Sequence, residues 1–194
     1  MTNKTEKIKY LVERYPFLLP KNVFSDKIPE DYDYSYIKHL EIPKGWFRLF
    51  LQLCEDIRQP LIDAGCLDTF RFTQVKEKYN QLRCYHTGAP EVVNDILLKY
   101  EQMAYYVCTD CGKPAKHETQ VYFASFCDEC LKKLVKQGYT EPIKFKDCFE
   151  VTKYLNKIAQ TGELEEITYI VSFKDEWLRY IKSLETDFLY TKIL

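Results

Sequence analysis

The chain has 194 residues and carries 28 Lys and Arg against 29 Asp and Glu, a formal net charge of −1, with 46% hydrophobic and 29% charged residues. Such a length suits one ordinary domain, or a small core with elements attached at each end, and the proportions are those of a soluble globular protein. The near-neutral charge argues against a general nucleic-acid coat or a membrane-surface protein and leaves only a local basic patch open.

The opening MTNKTEKIKYLVERY has no apolar run of a signal peptide, and no stretch approaches the roughly 20 apolar residues of a membrane span. Eight Cys without such a signal point to a reducing compartment, the cytoplasm, and to metal binding in place of disulfides. Thr5 is positioned to cap a first helix, with Ile8, Leu11, Val12 and Tyr15 at helical spacing, and Pro16 ends it. The following stretch carries three Pro among acidic and Tyr residues. It reads as an extended arm over the surface, whose Phe17, Leu18, Leu19, Val23 and Phe24 need covering.

A second helix starts near Lys44, with Trp46, Phe47, Phe50, Leu51, Cys54 and Ile57 in one apolar stripe. Pro60 is expected to break or kink it, and Gly65 to mark its end. FRFTQVKEKYNQLRCYH reads as a β-hairpin, with Glu77 to Gln81 as the polar turn and a bulge near Gln74. Gly88-Ala89-Pro90 opens a third helix that buries Val93, Ile96, Leu97, Tyr100, Met103 and Ala104 and runs into Cys108. Beyond Gly138 an αβα pattern is expected. Phe145, Phe149, Thr152, Leu155 and Ile158 suit a helix, Ile167, Tyr169, Val171 and Phe173 a strand, and Trp177, Leu178, Ile181 and Leu184 a final helix.

Cys108, Cys111, Cys127 and Cys130 form two Cys-x-x-Cys pairs separated by fifteen residues. Each pair presents two thiolates to one ion at low strain, and the spacing falls in the range of Zn²⁺ sites. Two pairs complete a tetrahedron with no open position, so the expected cofactor is one structural Zn²⁺. Cys111-Gly112 reads as a knuckle turn, Gln120 to Phe126 as a short strand, and LKKLVKQG as a helix beginning at the second pair. That order is a treble clef, with the helix N-terminus favouring the thiolates. Four thiolates leave a net charge of −2 on the site, which Lys113, Lys116, Lys132 and Lys133 can offset. The same lysines also read as a nucleic-acid patch.

The patterns of known metal chemistry fail here. His117-Glu118 has neither the H-x-E spacing of a zinc deaminase nor the second His of H-E-x-x-H. Gly is too scarce, at 6, for a phosphate loop. Cys84 and His86 share a strand face, yet such a pair is more often a buried Cys beside a satisfied His. Two surface sets stand as binding candidates. Gln74, Lys76, Lys78 and Arg83 crowd the hairpin and can hold a carboxylate or phosphate, or be a solvated face guarding an edge. Tyr32, Tyr34 and Tyr36 interleave with acidic residues in PEDYDYSY, and can cover a basic partner or pack on the core. The 16 Tyr invite the same two readings, recognition surface or core filling.

The runs GWFRLFLQLCEDI, FTQVKEKYNQLRCY and CTDCGKPAKHETQVYFASFCDEC, in that order, resemble an uncharacterised protein family of bacteria and their phages. Its pattern is a Gly-Trp helix, a Q-[VI]-K-E-K-[FY]-x-x-L-R hairpin and a C-x-x-C-G-x-P zinc module. The resemblance covers about residues 44 to 131. It implies a compact helix–hairpin–helix–zinc unit in a phage or mobile-element setting, and it implies no activity. Asn80 stands where the family often has Gly, Pro60 lies inside the helix, and Cys84 replaces an aromatic. Asn80 is a mild departure, since Asn tolerates a left-handed turn.

The expected fold is α+β: a helix–β-hairpin–helix core with an embedded four-cysteine zinc module (residues 44–138), an N-terminal helix and arm (1–43) and a C-terminal αβα extension (139–194). The expected function is non-enzymatic binding of a cellular protein, as a phage- or mobile-element-encoded inhibitor or regulator of a host or defence protein. The alternative is a nucleic-acid-binding regulator that uses Lys76, Lys78, Arg83, Lys132, Lys133 and Lys136. An enzyme with a hairpin-face pocket ranks third. No membrane partner is expected.

Overall fold

The computed structural model describes residues 4–19, 27–30, 32–33, 37, 39–140, 143–145 and 174–185. The order is α1 (Lys4–Arg14), a 3-10 turn (Pro16–Leu18), β1 (Leu40–Glu41), a second 3-10 turn (Lys44–Trp46), α2 (Phe47–Asp63), β2 (Phe72–Lys78), β3 (Gln81–His86) and α3 (Glu91–Ala104). Then come β4 (His117–Thr119), β5 (Ser125–Phe126), α4 (Asp128–Lys136), β6 (Ile143–Phe145) and α5 (Lys174–Glu185). The protein is a mixed α+β fold. No described helix is long and apolar enough to cross a membrane.

The main core lies between α2, α3 and the sheet β1-β2-β3. The α2 stripe buries Leu49, Phe50, Leu51, Leu53, Cys54, Ile57 and Leu61. Opposite it, Val75 and Leu82 are buried on the inner face of the hairpin. Phe17, from the turn after α1, meets Phe70 and Phe72 edge-on at 5.7 and 5.8 Å, so the arm's first aromatic is covered as its composition required. Further on, β1 pairs in parallel with β2, and the Val75 N–H donates to the His39 carbonyl at 2.8 Å. The arm therefore closes one edge of the sheet. Val23 and Phe24 lie outside the described residues.

Several expectations change. Pro60 sits inside α2 and does not end it. Its missing N–H and its ring affect the turn before it, while the turn after it still closes through Ala64 N–H to Pro60 O at 3.1 Å. The hairpin turn is two residues, not five: Lys78 pairs with Gln81, and Tyr79 and Asn80 both have positive φ, 52° and 61°. That left-handed pair matches the twist of the flanking strands. The bulge expected near Gln74 appears as a register shift between Phe72 and Gln74.

Within 120–126 only Ser125–Phe126 is strand, paired with β4. The Thr119 N–H donates to the Ala124 carbonyl at 3.0 Å, which turns the chain and leaves Val121, Tyr122 and Phe123 exposed. Phe145, expected in a helix, lies in β6, because β4 offers it a free edge. The final helix forms, but Leu178 is 52% exposed and Tyr180 takes the buried place beside Trp177. The expected helix around Phe149 to Ile158 and the strand from Ile167 to Phe173 lie outside the described residues.

Candidate metal centre

The thiols of Cys108, Cys111, Cys127 and Cys130 all lie within 4.8 Å of one another. Cys111 Sγ and Cys127 Sγ are 3.6 Å apart. Sulfurs at the corners of a tetrahedron with metal–sulfur bonds of about 2.3 Å stand about 3.8 Å apart. The cluster therefore has the size and donor set of a metal site.

Local hydrogen bonds shape the first pair. Gly112 N–H donates to Cys108 O at 3.0 Å, and Cys108 N–H to Lys113 O at 2.8 Å. Gly112 has φ +78°, and a Cβ there would stand 2.7 Å from Gly45 O. The requirement is mutual, since a Cβ on Gly45 would stand 2.2 Å from Cys108 O. The two backbones lie against each other, joined by Gly45 N–H to Thr109 O at 3.0 Å. Trp46 Nε1–H donates to Val107 O at 3.0 Å, Lys44 pairs with Asp110 at 2.7 Å, and Tyr180 Oη–H reaches Gly112 O at 2.6 Å. Gly45 and Trp46 together form the seat of the first knuckle. α5 is part of that seat, and it is further held by the bidentate Arg179–Asp56 pair at 2.9 and 2.6 Å.

The second pair belongs to α4. Cys127 is its N-cap residue and Cys130 lies in its first turn. Burial alone would raise the Cys127 thiol, but the Cys130 N–H and neighbouring thiols outweigh it, and its pKa falls. Burial pushes Cys111 up to about 11 and Cys130 higher still. Cys127 stands at the positive end of the helix, which favours its thiolate form.

Two of the nearby lysines are matched. Lys113 pairs with Glu129 at 2.8 Å and Lys116 with Asp128 at 3.0 Å, and His117 Nε2 lies 2.8 Å from Asp128. These contacts hold Asp128 and Glu129 below the usual carboxylate range. Lys132, Lys133 and Lys136 stand exposed on α4.

A buried polar network joins the module to the hairpin. Asn80 is fully buried; its Nδ2 donates to Glu118 Oε1 at 2.9 Å, and its Oδ1 lies 2.8 Å from Ser125 Oγ. Tyr105 Oη–H donates to Glu118 Oε2 at 2.9 Å. Asn80 is thus more than a residue that tolerates the turn. It ties the tip of β2–β3 to β4 and β5, and sequence reasoning saw only its backbone preference.

The hairpin set does come together. Gln74, Lys76 and Lys78 share one face of β2 with Arg83 and Tyr85 of β3. Lys76 donates to Gln74 Oε1 at 2.8 Å and lies 5.3 Å over the Tyr85 ring, while Lys78 lies 5.5 Å over Tyr79. Cys84 points inward opposite Val75, burial raises its thiol well above the ordinary value, and His86 Nδ1 accepts from Gly88 N–H at 3.2 Å. The pair lacks an activated nucleophile. Of the tyrosine set, Tyr32 donates its N–H to Pro29 O at 3.1 Å in a turn. Tyr34 and Tyr36 lie outside the described residues.

No protein-family model, curated protein or solved structure matches the chain.

Proposed function

We propose that the protein is a non-enzymatic, zinc-stabilised binding protein that acts by docking onto another protein. One observation carries this: four thiols surround a single point, which leaves a bound ion no open position for water or substrate. Zn²⁺ suits an all-thiolate tetrahedron, and its role here is to hold the module. The finer assignment is a treble clef: knuckle, β4–β5 hairpin, then two ligands at the start of α4. Exposed aromatic side chains supply contact area, with Tyr79 71% and Tyr122 80% accessible. The family resemblance extends the proposal to a phage- or mobile-element-encoded inhibitor or regulator of a host or defence protein.

Affinity capture with the full chain from lysate of its source cells, after nuclease treatment, tests the reading. A protein retained in fixed proportion supports it, and recovery of nucleic acid alone sinks it. Metal analysis tests the cofactor, with about one Zn per chain expected.

A second reading, a nucleic-acid-binding regulator using Lys76, Lys78, Arg83, Lys132, Lys133 and Lys136, is favoured by the absence of carboxylate partners at Lys76 and Lys78 among the described residues. It requires binding to an oligonucleotide that weakens steeply with salt, because phosphate contacts release counterions.

A further inference from the structure

On the outer face of the β2–β3 hairpin, as at Lys132, Lys133 and Lys136 of α4, lysines stand without a carboxylate partner among the described residues, but here they stand on a rigid strand face beside tyrosine rings. Lys44, Lys113, Lys116, Arg14 and Arg179 each contact a carboxylate at 3.0 Å or less. Lys76 and Lys78 contact only an amide oxygen and two tyrosine rings. Arg83 donates to Gln81 Oε1 and approaches Glu101 only to 3.7 Å. Glu41 stands beside Lys76 in the β1–β2 register without an ion pair. The face therefore carries two lysines without an anionic partner among the described residues and an arginine whose pair with Glu101 is long, on a backbone fixed by the Asn80 network.

Its geometry is regular. Gln74 faces Tyr85, Lys76 faces Arg83 and Lys78 faces Gln81. Successive rungs are two residues apart, about 6.8 Å, and alternate side chains of any extended peptide repeat at that same distance. The edges are partly taken: β1 pairs along β2, and Glu101 of α3 accepts the Cys84 N–H at 2.8 Å. A partner meets the side chains of this face in preference to its backbone edges.

We infer that this face docks an extended acidic segment of a partner protein, with carboxylates at alternate positions lying on the Lys76–Arg83 and Lys78 rungs. Arg83 supplies the forked donor, and Tyr85 and Tyr79 flank the rungs at either end. Lys76 and Lys78 each lie over one face of a tyrosine ring, so that face is not open to a stacked base, which favours a peptide over a single-stranded nucleic acid. The inference rests on the protein-binding reading above and names its surface.

The test is fluorescence anisotropy of the full chain against three labelled probes: a Ser-Glu repeat peptide, a peptide of equal composition with its glutamates in one block, and oligo-dT. The repeat peptide should bind saturably and more tightly than the block peptide. Binding should weaken at least about tenfold in a Lys76→Gln/Arg83→Gln variant, a change of about 1.4 kcal/mol. That variant should keep the wild-type melting temperature, since neither side chain is buried. Equal binding of the block peptide, tighter binding of oligo-dT, no saturable peptide binding, or an unweakened variant each overturns the inference. A partner protein captured equally by wild type and variant would remove this face and leave the protein-binding reading standing. Capture of nucleic acid alone would remove the reading itself.

Discussion

The two cysteine pairs of one cluster sit in unlike surroundings. Cys108 and Cys111 lie on a knuckle pressed against Gly45, bonded by Trp46 and capped by Tyr180 from the far end of the chain. Cys127 and Cys130 lie on α4, a nine-residue helix in which Cys130 is the single buried residue. The tertiary fold holds the first pair. The second is held by the short β4–β5 ladder and a few surface ion pairs, to which a metal bound by all four thiols would add. A short helix that buries little apolar area is marginal by itself, so a metal bound at the cluster would fix its position.

Metal removal is the sharpest way to break this comparison. Chelation, or Cys127→Ser, should abolish metal binding and cost at least about 3 kcal/mol of stability, read by metal analysis and thermal melts. Hydrogen exchange should show α4 amides losing protection before those of residues 107–112. Equal loss in both halves would refute the asymmetry.

Gly45→Ala comes next, since its Cβ would stand 2.2 Å from Cys108 O and backbone must move. A loss of about 2–4 kcal/mol in urea unfolding is expected. A neutral result would mean that the knuckle is not seated there. Asn80→Gly keeps the left-handed turn but strips Glu118 and Ser125 of a buried partner. It should cost about 1–3 kcal/mol, and hairpin amides should exchange faster. Tyr180→Phe deletes one buried hydrogen bond to Gly112 O and should cost about 1 kcal/mol. Lys113→Ala removes only an exposed pair with Glu129, and its melting temperature should stay within error of wild type.

What was legible in the sequence was local. The cysteine pairs declare themselves because a Cys-x-x-Cys turn brings two thiols together with no help from elsewhere. The α2 stripe and the α3 face were legible because a helix repeats its apolar positions at fixed spacing. The β2–β3 pairing and its bulge followed from alternation. Phe145 failed because a short apolar run carries no decisive period, and a free edge of β4 claimed it. Leu178 failed because helical spacing admits neighbouring stripes, and the contact of Tyr180 with Gly112 chose between them.

The sequence by itself determined the donor set, the main helices and the hairpin, since spacing and periodicity act over a few residues. Only the tertiary structure decided why Gly45 precedes Trp46, why Asn80 is buried, and which lysines meet a carboxylate. Those outcomes depend on backbones and charges tens of residues apart in the chain meeting within hydrogen-bonding distance, and no local pattern encodes that meeting.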